Sequence, residues 1–135
     1  MNGLPKNITS TKTDFSFHKN ERLCSKKVID KLFTEGKSVF VYPLKIVYLE
    51  SQLPLKHKVQ VAFTVGKRNF KKAVQRNLIK RRMREAYRLN KHKLYEVTGE
   101  MHLAVFFIYT GKTISEYKQI ETAIIKGIKK LREQN

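Results

Sequence analysis

Apolar residues fall along this chain in two rhythms, one of three to four residues and one of two. In SKKVIDKLFTEG, Val28, Ile29, Leu32 and Phe33 follow the first, which predicts a short amphipathic helix. Ser25 stands at the N-cap position and Gly36 where a left-handed residue often closes a helix. On spacing alone Phe33 reads as an ordinary core residue. SVFVYPLKIVYLE is dense in β-branched and aromatic residues and predicts a strand. Pro43 must then sit at an edge, bulge or end, because proline donates no ladder hydrogen bond. SQLPLKHK is a polar connection. In KVQVAFTV, Val59, Val61, Phe63 and Val65 alternate with Gln60, Ala62 and Thr64, as in a strand with one buried face. These two strands are expected to form an antiparallel pair.

A second helix is predicted from Lys71 to Leu94, with Val74, Leu78, Ile79, Met83, Ala86 and Tyr87 as its apolar stripe. MHLAVFFIYTG is apolar at odd and even positions alike, so it predicts a central strand covered on both faces. Thr113 with Glu116 has the spacing of a capping box, and Tyr117, Ile120, Ala123, Ile124, Ile128 and Leu131 line a last helix. The order is α-β-β-α-β-α with room for an extra strand, so the expected class is α+β, a sheet with helices packed on it. Residues Met1 to Phe17 carry few apolar side chains and read as a flexible arm before a single domain spanning residues 18–135.

Charge changes this picture from a bare fold to a binding surface. The chain has 135 residues, enough for one core, and 29 Lys and Arg against 11 Asp and Glu give a formal charge of +18. Such an excess points to a polyanionic partner. Leu103 to Tyr109 is the longest apolar run, far short of the roughly 20 residues that cross a bilayer. With no apolar signal region and only Cys24, which reads as a small packed residue, a reducing cytoplasm is the expected setting. Catalytic patterns are poor. His18, His57, His92 and His102 have no metal-ligand spacing, Gly66 stands alone rather than in a phosphate-cradling loop, and no carboxylate pair suggests acid and base roles.

The positive charge concentrates in AVQRNLIKRRMREAYR, where Arg76, Lys80, Arg81, Arg82, Arg84 and Arg88 are opposed by Glu85 alone. Arg76, Lys80, Arg84 and Arg88 are four residues apart and stack along one helical face. Each such like-charged pair costs on the order of 0.2–0.5 kcal/mol unless something neutralises it, and a phosphate backbone does. GKRNFKK adds Lys67, Arg68, Lys71 and Lys72 at the helix N-terminus, where unpaired N–H groups and the helix dipole already favour anions. A solvated basic face is the bland alternative. A ribosomal RNA-binding component shares these features, whereas the second recognition helix of a DNA-reading helix-turn-helix is not evident after Leu94.

KRNFKKAVQRNLIKRRMREAYR resembles the signature helix of the bacterial ribonuclease P protein subunit, and RLCSKKVIDKLFTEGKSV, the apolar strand and the last helix extend the resemblance over about Glu21 to Leu131. The family's Arg-Asn-Arg reads Arg76-Asn77-Leu78 here, one cation fewer. The resemblance implies a small α/β sandwich with a roughly four-stranded sheet and a left-handed crossover. It implies no catalytic residue and no metal on the protein: an RNA subunit performs Mg²⁺-dependent removal of the 5′ leader from precursor tRNA. The implied partners are ribonuclease P RNA and precursor tRNA, with no membrane and no small-molecule substrate. Carried onto this sequence, Lys67, Arg68, Arg76, Asn77, Lys80, Arg81 and Arg84 face the RNA subunit. Ile29, Phe33, Lys45 and Val47 line a cleft for the single-stranded leader, with Ile29 standing where the family often has an aromatic residue.

Overall fold

The computed structural model describes residues 17–51, 58–98 and 102–134. Most of the expected arm, the polar connection and His57 lie outside these residues. A single 3-10 turn (Lys19–Glu21) leads into α1 (Lys26–Glu35), β1 (Lys37–Val41), β2 (Leu44–Ser51), β3 (Val59–Val65), α2 (Ala73–Thr98), β4 (His102–Tyr109) and α3 (Tyr117–Gln134). The strands form one mixed sheet in the order β1-β2-β4-β3, with β1/β2 and β2/β4 antiparallel and β3/β4 parallel. This is the expected α+β domain, helices packed on a four-stranded sheet.

Two expectations about the strands change. The segment read as one strand is a hairpin: Val41 pairs with Leu44, and Tyr42 and Pro43 make the turn, where proline's missing N–H costs no ladder bond. Nor do β2 and β3 pair with each other, because β4 lies between them. Leu103, Ala104, Val105 and Phe107 of β4 are all buried, and only the centre of the sheet covers both faces of such a strand. The parallel β3/β4 pair is bridged by α2, since neighbouring parallel strands need a crossover rather than a tight turn.

The helix ends also differ in detail. Ser25 Oγ accepts the Val28 N–H at 3.3 Å, as its N-cap position predicts. Gly36 is extended (φ −71°, ψ 159°) rather than left-handed, and its N–H donates to the Leu32 carbonyl. Glycine is required there by close approach: a Cβ would run into the Leu32 carbonyl oxygen. α2 starts at Ala73, after Lys71 and Lys72, and continues past Leu94 to Thr98. Thr113 lies too far before Tyr117 to cap α3. Its carbonyl instead accepts the Tyr109 hydroxyl at 2.6 Å, and that hydroxyl accepts the Ser115 N–H at 2.9 Å.

α2 and α3 cover one face of the sheet. Ile46, Tyr48, Val61, Val105 and Phe107 from the strands meet Ile79, Met83, Ala86 and Tyr87 of α2 and Ile120, Ile124, Ile128 and Leu131 of α3. Val74, expected in the stripe, is 78 % exposed, so burial begins one turn later. Among the described residues, α1 and the segment leading into it cover the opposite face, where Leu23 and Leu32 pack on Val47 and Ala104. The entry to α1 is pinned by Phe17, edge-on to Phe63 and Tyr87, and by the Leu23 N–H on the Val61 carbonyl at 2.8 Å. Glu21, 1 % exposed, closes the same corner: it accepts from Lys91 Nζ (2.7 Å), the Tyr95 hydroxyl (2.8 Å) and the His18 N–H (2.8 Å). Burial pushes its carboxyl up, but these bonds and the Lys91 charge outweigh burial and hold it below its ordinary value.

Candidate nucleic-acid interface

Packing divides the six cations of the basic stretch into two groups. Arg76 is half-buried, and its Nη1 donates to the carbonyls of Phe70 (2.7 Å) and Lys71 (2.8 Å), which fixes the loop entering α2. Arg82 Nη1 donates to the Ser115 carbonyl at 2.6 Å and ties α2 to the turn before α3. Arg88 forms a two-bond pair with Glu85, 2.7 and 3.0 Å, which holds the Glu85 carboxyl below its ordinary range. Lys80 is half-buried, whereas Asn77, Arg81 and Arg84 are exposed. Their spacing of four and three places them on one ridge. The outward ridge is therefore Asn77-Arg81-Arg84 with Lys80 beside it, not the four-residue ladder from Arg76 to Arg88. Lys67, Arg68, Lys71 and Lys72 are exposed on the loop at the start of α2, so this end of the helix adds exposed cations to the positive end of the helix dipole.

The other candidate residues gather on the sheet face that α1 covers. Phe33 is 53 % exposed, contrary to its reading as a core residue, and its ring lies 5.1 Å from that of Phe106 at 57°. Ile29 is half-buried one helical turn earlier, and Lys45 is exposed on β2. Val47, only 6 % exposed, is floor rather than contact surface. Strand register extends this face beyond α1 as a row, Phe40 to Lys45 to Ile108 to Thr64, crossing the whole sheet. Phe40 is 55 % exposed, and Ile108 and Thr64 are half-buried. The row ends at β3, and Gly66, Lys67 and Arg68 follow Val65 directly. The row thus runs across the sheet to the strand that leads into the basic loop.

A family model described as Ribonuclease P matches residues 17–132. The chain belongs to the bacterial ribonuclease P protein family. It is accordingly an RNA-binding, non-catalytic subunit of a tRNA-processing holoenzyme, which decides against the ribosomal alternative. A ribonuclease P protein component of Porphyromonas gingivalis is 37 % identical over 126 residues, covering 90 % of this chain and 89 % of the relative. One from Chlorobium phaeobacteroides is 38 % identical over 106 residues, 71 % of this chain and 73 % of that one. Among solved structures, the Staphylococcus aureus RNase P protein superposes with TM-score 0.67 at 18 % identity, covering 84 % of this chain and 96 % of its own. The Thermotoga maritima RNase P protein gives 0.65 at 22 %, covering 82 % and 96 %; at these identities both speak for the fold.

Against the ribonuclease P signature, Leu78 is half-buried on α2 and adds no charge to the ridge. Cys24 is exposed, not packed as its apolar neighbour suggested. No group of three His, Cys, Asp or Glu side chains gathers among the described residues, and no described helix is long and apolar enough to cross a membrane. Sequence reading missed Phe40, Phe106 and Ile108. The signal for Phe40 was present in SVFVYPLKIVYLE: breaking the strand at Pro43 switches the alternation, so that Phe40 and Lys45 share a face.

Proposed function

We propose that the two surfaces divide the RNA of the holoenzyme between them. The ridge of Asn77, Lys80, Arg81 and Arg84, with Lys67 and Arg68 on the loop, holds the RNA subunit. Arg76 supports that surface by fixing the loop. The cleft of Ile29, Phe33 and Lys45 over the Val47 floor takes the single-stranded 5′ leader, with Phe33 stacking on a base, an interaction that tolerates any sequence. The family's Mg²⁺-dependent hydrolysis is the work of the RNA subunit, and the protein's residues bind and position. The observation that carries this reading is that the row on the α1-covered face runs in register to β3, which leads directly into the Lys67-Arg68 loop, so that a leader held at that loop can continue along the row.

The test is cleavage of a leader-bearing precursor tRNA by the matching RNA subunit at near-physiological Mg²⁺ and salt. Strong activation is expected only when both components are present. RNA binding without activation would overturn the reading. If the five exposed or half-exposed cations Lys67, Arg68, Lys80, Arg81 and Arg84 each neutralise one phosphate, log K for the RNA subunit should fall with log salt at a slope of about −4.5 on duplex regions.

A further inference from the structure

We propose that Phe40 is a second base-stacking position, taking a leader nucleotide further upstream than the one on Phe33. This inference rests on the leader-cleft reading above. Three observations carry it. Phe40 is a large aromatic on edge strand β1 and is 55 % exposed, although Val39 and Val41 on either side turn into the closed core. It stands in register with Lys45, which is exposed on the neighbouring strand and puts a cation on the same face. Beyond it, a groove of about 420 Å³ at the sheet edge is lined by Ser38, Val39, Phe40, Lys130 and Glu133, with Lys130 Nζ 3.4 Å from the Phe40 carbonyl oxygen. An exposed aromatic with a lysine in register on the neighbouring strand suits a stacked base whose phosphate lies toward Lys45.

Position along the leader follows from the sheet. Phe33 sits on Phe106 of β4, while Phe40 is two strands away and one row on. Strand spacing and rise put roughly 12 Å between the backbones of Phe106 and Phe40. Bases of a stacked run are about 3.4 Å apart, so the two rings hold non-neighbouring nucleotides. Phe40 is also at the end of the row farthest from Thr64 and the basic loop. A chain entering at the loop therefore reaches Phe33 first and Phe40 later.

The experiment measures affinity of the reconstituted holoenzyme for precursor tRNAs whose leaders lengthen one nucleotide at a time, with wild type, Phe33→Ala, Phe40→Ala and Phe40→Tyr proteins. Phe40→Ala should match wild type on short leaders and lose about fivefold on long ones, the lower end of base–aromatic stacking, while Phe40→Tyr retains the gain. A fluorescent adenine analogue placed at the leader position where the curves part should be quenched by wild type and not by Phe40→Ala. If Phe33→Ala abolishes the length dependence and Phe40→Ala does not alter it, this inference fails and the cleft reading stands. Were neither variant to alter it, both fail. A Phe40→Ala protein with unchanged leader binding but a loss of self-association in sedimentation assigns the edge to a second copy of the chain and overturns the proposal.

Discussion

The two faces of the sheet are built from the same strands by the same alternation, yet they are covered differently. Two long helices close one face, and Ile46, Phe107, Tyr87, Ile124 and Leu131 are fully or almost fully buried there. Among the described residues one ten-residue helix lies on the other, with Phe33 and Phe40 more than half exposed. The difference teaches that stability and recognition are separated by which face a side chain takes rather than by residue type. Large aromatics occur on both, and Phe106 and Phe107 are adjacent in sequence but belong to opposite faces.

The comparison can be broken most severely on the closed face. Phe107 is fully buried, stacked at 5.4 Å on Phe63 and tilted at 5.7 Å against Tyr87; Phe107→Ala should cost about 3–5 kcal/mol in urea unfolding. Next comes the corner that fixes the approach to α1. Glu21→Gln leaves Lys91 buried without its counter-charge and should cost about 3 kcal/mol. Because folding lowers the Glu21 pKa from its ordinary 4.5, its contribution is full above that value and is lost as pH falls through the lower folded value. Wild type should therefore lose stability on acidification from pH 4.5 downwards more steeply than Glu21→Gln, as acid titration of the unfolding midpoint would register.

On the open face the effects should move from stability to binding. Phe33→Ala is expected to weaken leader-bearing precursor by about 1–2 kcal/mol and mature tRNA far less, while circular dichroism stays that of the wild type. An equal loss on both RNAs would erase the distinction between the faces. The smallest structural effect belongs to the ridge. Arg81→Ala should change stability by no more than about 0.5 kcal/mol, yet reduce the salt slope of RNA-subunit binding by about 0.9. The same substitution at Arg76 should disturb the Phe70–Lys71 loop as well, and thermal unfolding of the two variants separates the roles.

What the sequence determined by itself is whatever repeats within a few residues. The amphipathic α2 with its basic side, the doubly apolar β4 and the buried stripe of α3 from Ile120 to Leu131 were legible because helical and strand periods are local. The signature around Arg76-Asn77 made the family legible as well. Tertiary structure alone decided that β4 separates β2 from β3 and that Arg82 is engaged while Arg81 and Arg84 remain exposed. It also left Phe33 and Phe40 open. Arg82 finds its acceptor 33 residues away at Ser115, and Lys91 finds Glu21 at a separation of 70. Such partners leave no periodic mark in the chain, because a side chain's freedom to bind RNA depends on what folding brings against it.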